Sequence, residues 1–315
     1  MQSSRWMSAL VSLFVAGTAF AQRVPMATAD EPFAADALVK GVSATRESCA
    51  QLQGGVWADA GSFGAECLRS WVHGLDGDVA SNVLVYLPPD QLTFNLPAPG
   101  YTSLSPSRMA ALTAQMQRSA GVPFIFLARP GTFGSSGTHG DRRREAEARL
   151  VSAALDALRR KHGITRFVVS GLSGGGHTVA ALLGWRSDIV CAVAASAVSS
   201  PRMRWQAMGQ SQDVTGHSDS YEPVEHLAHL ARGTMHPQLR VFVLGDLKDS
   251  NVPWATQLPL ATRLQQMGVP TQLLNAEGSD AQHHALSDTT RAVGAACAKG
   301  VGTPDIVELV KGRRG

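Results

Sequence analysis

From residue 82 onwards the chain alternates short apolar runs with longer amphipathic stretches. Residues 82–87 (NVLVYL) read as a strand that stops at Pro88-Pro89-Asp90. Residues 123–128 (PFIFLA) are an unbroken apolar run of strand length, as a strand buried on both faces requires. Residues 167–169, 188–195, 239–244 and 270–275 repeat the pattern. Between these runs, residues 108–119 read as helical. A stripe of Leu150, Val151, Ala154, Leu155 and Leu158 predicts another helix, for which Asp141 is a candidate cap. Residues 179–183, 256–267 and 285–297 continue the alternation. Strands alternating with helices predict an α/β fold, a mostly parallel central sheet with helices on both faces.

Two stretches depart from this rhythm. Residues 22–80, rich in Ala, Gly and Ser, read as an irregular N-terminal extension to a domain spanning 81–315. Residues 199–237 are polar, with Trp205 and several Met and His, and suggest a cap inserted over the site. The first 21 residues have the make-up of an export signal. Arg5 precedes an apolar run over 7–18, and Ala19-Phe20-Ala21 fits a small-x-small cleavage site, so the expected mature chain starts at Gln22 and is secreted or periplasmic. The bland alternative is an uncleaved anchor. After cleavage no stretch of about 18 apolar residues remains to hold the chain in a bilayer.

Composition narrows the picture. The 315 residues suit one large α/β domain with extensions or two small domains, and at 44% hydrophobic and 17% charged the chain can bury a real core. A net charge of +3 gives no reason to expect a nucleic-acid partner. The one basic run, Arg142-Arg143-Arg144, precedes Glu145 and Glu147 and reads as a solvated helix face. In an exported chain four cysteines favour pairing: Cys49 with Cys67 locally, and Cys191 with Cys297 unless these stay as buried thiols.

The candidate chemistry centres on Gly171-Leu172-Ser173-Gly174-Gly175, a G-x-S-x-G motif between a strand and a helix. So tight a turn exposes a serine as a nucleophile and leaves little room for side chains two residues either side of it. A serine hydroxyl needs a base within reach, and the base an orienting acid. In a parallel sheet these gather beyond the carboxyl ends of the strands. The loop after 239–244 offers Asp249, which begins D-x-x-V-P, with Asp246 as the alternative, better placed to bond local amides. The loop after 270–275 offers His284, with the adjacent His283 as the alternative.

The order Ser173, Asp249, His284 resembles the α/β-hydrolase fold over roughly residues 80–300. Gly174-Gly175, Asp249-Ser250-Asn251-Val252-Pro253 and His284-Ala285-Leu286 look most like the prolyl oligopeptidase and dienelactone hydrolase branch. The resemblance implies an oxyanion hole built from the Gly174 amide and a second donor after the strand 82–87. Many relatives carry His-Gly there. Pro88-Pro89 lack N–H groups, leaving Asp90 as the nearest amide donor.

The implied activity is cleavage of a carboxylic ester, or a peptide bond, through an acyl-enzyme, with a small-molecule ester or peptide as substrate and no cofactor or metal. The segment before residue 80 is too short for the propeller domain of the larger peptidases of that branch. A non-catalytic binding module on the same fold, or an acyltransferase using an alcohol in place of water, are the rival readings. His177, one turn after Ser173, reads as a packed structural residue. His226 and His229 beside Glu225 have metal-like spacing but no further ligands. The Gly-rich loop 129–140 lacks the phosphate-loop Lys-Ser/Thr.

Overall fold

A computed structural model describes residues 23–313 apart from 76, 78, 79 and 94; the expected export signal lies outside the described residues. Eight strands form the main sheet: β1 (Gly55–Asp59), β2 (Ala65–His73), β3 (Val83–Leu87), β4 (Phe124–Leu127), β5 (Phe167–Leu172), β6 (Ile189–Ala195), β7 (Arg240–Gly245) and β8 (Thr271–Asn275). Their order across the sheet is β1-β2-β4-β3-β5-β6-β7-β8. Strands β3 to β8 run parallel, while β1 and β2 pair antiparallel with each other and β2 is antiparallel to β4. The six parallel strands are those of the hydropathy pattern.

Residues 55–73 correct the expectation of an irregular extension. Their strands carry Gly, Glu, Arg and Ser among the apolar residues, so no clean period of two is visible. What makes them strands is the exposed edge of β4, which β2 covers with a register running from Ser70 opposite Leu127 to His73 opposite Phe124. Cys49 and Cys67 are bridged, tying the short helix Arg46–Gln51 to β2, and Cys191 and Cys297 are also bridged.

Six longer helices cover the sheet: α1 (Pro106–Ala120), α2 (Glu145–His162), α3 (Gly174–Leu182), α4 (Trp254–Gln266), α5 (Ser287–Ala298) and α6 (Thr303–Lys311). The alternation of side chains along β3 divides the core. Val83, Val85 and Leu87 face the layer with α2, α3 and α4, including Leu155, Val179 and Leu260. Leu84 and Tyr86 face the layer with α1, α5 and α6, including Met109, Val293 and Ile306. Burial on both faces is why these strands read as unbroken apolar runs. The C-terminal ends of β3, β5, β7 and β8 lie at one rim, and the candidate chemistry collects there.

The 199–237 segment carries two short helices, Pro201–Ala207 and Pro223–Leu227. Polar contacts stitch it to loops of that rim: the Tyr221 amide donates to the Arg143 carbonyl (2.8 Å), and Arg204 donates to the Asn251 carbonyl (2.9 Å) and Oδ1 (2.6 Å).

Candidate active site

Ser173 follows β5 with φ 56° and ψ −117°, a positive-φ conformation that costs a non-glycine residue of order 1–3 kcal/mol. The surrounding backbone holds it there: the Ser173 amide donates to the Ala195 carbonyl (2.9 Å), and its carbonyl accepts from the His177 amide (3.0 Å). Glycine is required on both sides. A Cβ on Gly171 would lie 2.5 Å from the backbone of Gly175, and one on Gly175 would strike the Leu87 and Pro88 carbonyls of the β3 loop. Helix α3 begins at Gly174, so the amides of its first turn point outward beside Ser173, where the helix dipole favours negative charge.

The two histidine candidates each face one of the two acid candidates. His284 Nδ1 lies 2.8 Å from Asp249 Oδ2, with side chains only 11% and 0% exposed. The second oxygen of Asp249 accepts the amides of Asn251 and Val252, both at 2.8 Å. That leaves the other Asp249 oxygen to face the His284 imidazole. With the Nδ1 proton directed at Asp249, the Nε2 lone pair is free to take a proton. The backbone of His284 is fixed too, its amide donating to Asp280 Oδ1 (2.6 Å) and its carbonyl accepting from Ser196 Oγ (3.0 Å).

The other pair differs. His283 Nδ1 comes within 3.3 Å of Asp246 Oδ2 but is not aligned for a hydrogen bond, and its side chain is 37% exposed. Asp246 accepts the amides of Lys248 (2.8 Å) and Gly278 (2.9 Å), joining the loops after β7 and β8. Burial works to raise its pKa, but these amides and His283 outweigh it and hold the carboxyl below its ordinary value.

Asp90 presents a feature the sequence did not announce. Its carboxylate bonds Arg129 (2.8 Å), Arg142 (3.3 Å) and, at very short range, Arg143. Arg129 also pairs with Glu147 (2.7 Å), and Arg143 with Asp213 of the 199–237 segment (2.5 Å). Three guanidiniums and three carboxylates thus lie packed together. Burial opposes the charge on Asp90, yet Arg143, Arg129 and Arg142 hold its carboxyl well below the usual range. Asp90 Oδ1 and Arg129 Nη1 occupy the space over Gly174 that a side chain there would need.

The reading of Arg142-Arg143-Arg144 as a solvated face is corrected. Arg142 and Arg143 are buried, and only Arg144, 40% exposed, faces solvent. The run precedes α2 rather than lying on it, and Arg144 rather than Asp141 stands at its N-cap. Partners distant in sequence, Asp90 and Asp213, turn the basic run inward. No local pattern could have revealed them.

His177 is buried and its Nε2 meets the Tyr221 carbonyl at 3.0 Å, linking α3 to the 199–237 segment. Burial lowers its pKa to about 4 despite that carbonyl. His226 Nε2 accepts the indole N–H of Trp185 (3.1 Å), and no group of three or more His, Cys, Asp or Glu suited to a metal occurs among the described residues. The loop 129–140 folds back on β2, the Ser135 and Ser136 hydroxyls accepting the Arg69 and Cys67 amides. No helix among the described residues is long and apolar enough to cross a membrane.

Comparison with known proteins adds three findings. The model described as the prolyl oligopeptidase family matches residues 110–296. A search of curated protein sequences finds no match. Among solved structures, Est1E from Butyrivibrio proteoclasticus with bound ferulic acid is similar at 12% identity and TM-score 0.50, covering 82% of this chain and 98% of that one. The Pyrococcus furiosus esterase Pf2001 is similar at 13% and 0.50, covering 87% and 97%. A Mycobacterium tuberculosis puromycin-hydrolyzing peptidase is similar at 16% and 0.54, and there the likeness covers 79% of this chain but 39% of the peptidase.

Proposed function

The chain belongs to the prolyl oligopeptidase family and is a serine hydrolase, and on that footing we propose that it cleaves carboxylic esters through Ser173, His284 and Asp249. The observation that carries this reading is the buried His284–Asp249 contact of 2.8 Å, with the far oxygen of Asp249 occupied by two amides. It supplies an imidazole of defined tautomer on the loop that follows β8.

In the proposed reaction His284 Nε2 takes the Ser173 hydroxyl proton as Oγ attacks the substrate carbonyl. The tetrahedral oxyanion is received by the Gly174 amide, with the Asp90 amide as second donor. His284, now charged and stabilised by Asp249, gives the proton to the leaving alkoxide, and an acyl-serine forms. Water, deprotonated by the same imidazole, attacks the acyl-serine. Its collapse releases the carboxylic acid and returns the proton to Ser173.

Esters are preferred over amides on physical grounds. An ester carbonyl is less resonance-stabilised than an amide, and an alkoxide leaves more readily than an amide anion, so an ester asks less of the oxyanion hole. Here two prolines stand in the loop after β3, and losing one donor typically costs about 2.7–4 kcal/mol. The likeness to Est1E and Pf2001 shows a fold that esterases use. The alternative, a peptidase, rests on the family, and comparing short acyl esters with matched peptide amides separates the two.

We also propose export. The two disulfides are compatible with an oxidising compartment, and sequencing of the mature N-terminus should begin at Gln22. A fluorophosphonate probe is expected to label the wild-type protein at Ser173 and to fail on Ser173→Ala. Equal labelling of both would remove the assignment.

A further inference from the structure

Arg69 on β2 is 4% exposed, yet among the described residues its guanidinium has no hydrogen-bond or ion-pair partner, and its Nε is fully buried without one. The plane of Trp71 lies beneath it, with the guanidinium carbon 5.5 Å from the ring centre. The backbone of the 129–140 loop packs on its other side at Gly134, where φ is +79° and a Cβ would lie 3.0 Å from Arg69 Nη1. Nearby carboxylates are engaged elsewhere: Asp30 accepts the Ser107 amide (2.8 Å) and Asp36 pairs with Lys40 (2.6 Å), while Glu31 is exposed. Burial lowers the pKa of Arg69, with the charge of Asp30 acting in the other direction.

Arg69 lines a cavity of about 200 Å³ whose apolar walls include Val24, Phe33, Val42, Tyr101 and Pro106, with Glu31 and the Lys40-paired Asp36 also on its lining. Ser173, Asp249 and His284 do not line it. Phe33 and Tyr101 form an aromatic wall, their ring centres 5.8 Å apart. A buried cation without an acceptor is costly, and the planar guanidinium matches a carboxylate in geometry and charge. An apolar cavity of about 150 Å³ is enough to admit benzene.

We propose that this cavity binds a small apolar monocarboxylate, one aromatic ring or a short alkyl chain, with its carboxylate on Arg69 and its apolar part against Phe33 and Tyr101. The site is independent of the proposed catalysis and stands or falls separately from it.

Calorimetric titration of the full chain with 4-fluorobenzoate, and with 4-fluorobenzamide as the uncharged control, tests it. The carboxylate is expected to bind one-to-one and the amide at least about tenfold more weakly, since hydrogen bonds to a charged group are the stronger ones. Arg69→Gln should weaken the carboxylate by about tenfold or more. Ala37→Phe, which fills the cavity from its wall and keeps the cation, should also abolish binding and decides the matter if Arg69→Gln fails to fold. No saturable binding at millimolar concentration, equal binding of acid and amide, or an affinity unchanged by Ala37→Phe in a folded protein would overturn the proposal.

Discussion

His283 and His284 are neighbours in the chain, and each has an aspartate of the β7 loop within reach, at 3.3 and 2.8 Å. Yet their surroundings divide their roles. The Asp249 carboxylate is fully buried and spends one oxygen on two amides and the other on an aligned imidazole. Asp246 spends both oxygens on backbone amides, and the imidazole beside it is half open to water and out of alignment. One pair is buried and hydrogen-bonded; in the other the aspartate joins two loops. An Asp–His distance alone therefore says little, and what the remaining lone pairs do decides the function.

The sharpest way to break this contrast is to remove each imidazole in turn. His284→Ala should lower kcat for an ester by about 10⁶ if it is the base. His283→Ala should stay within about twofold, as surface substitutions do. Steady-state hydrolysis of a short acyl ester measures both, and a reversal would exchange the two roles. Next in size are the acids. Asp249→Asn should cost about 10⁴ in kcat through loss of the tautomer, with little change in fold. Asp246→Asn should leave kcat largely intact and instead lower the melting temperature, since one amide of its two-loop clasp would lose its acceptor.

The smallest effect concerns His177, buried against the Tyr221 carbonyl, where burial with Arg143 and Arg129 outweighs that carbonyl and Asp90. Its folded pKa of about 4 lies below the ordinary 6.5. Below pH 6.5 the unfolded chain therefore binds a proton that the folded chain refuses. Stability should fall by about 3 kcal/mol in all as the pH drops from about 6.5 to about 4, at 1.36 kcal/mol per unit. His177→Gln should flatten that part of the slope in urea unfolding at successive pH values, while buried His139, also depressed, keeps some of it. An unchanged slope would show that His177 protonates freely in the folded state.

Much of this was legible in the chain. The parallel strands inside the sheet show as apolar runs because both their faces are buried, while the edge strand β8 is only half-buried, and the G-x-S-x-G turn shows because glycine alone fits at positions 171 and 175. Both are local constraints, written into consecutive residues. The edge strands β1 and β2 were not legible, because a neighbour rather than their own pattern makes them strands. Nor was the inward turn of Arg142 and Arg143, whose acids stand some 50 and 70 positions away. The helix Thr303–Lys311 is amphipathic and could have been found by its spacing; its apolar residues Ile306 and Val310 close the core under α5.

Sequence alone settled which kinds of group are present and in what order along the chain, because backbone sterics and burial leave marks at short range. It could narrow the candidate base and acid to two adjacent histidines and two nearby aspartates, and no further. Which imidazole is buried against which carboxylate, and where the charges of Asp90 and Arg69 are answered or left unanswered, depends on loops brought together from distant parts of the chain. Electrostatics and desolvation act through space, so those assignments came only with the packed fold.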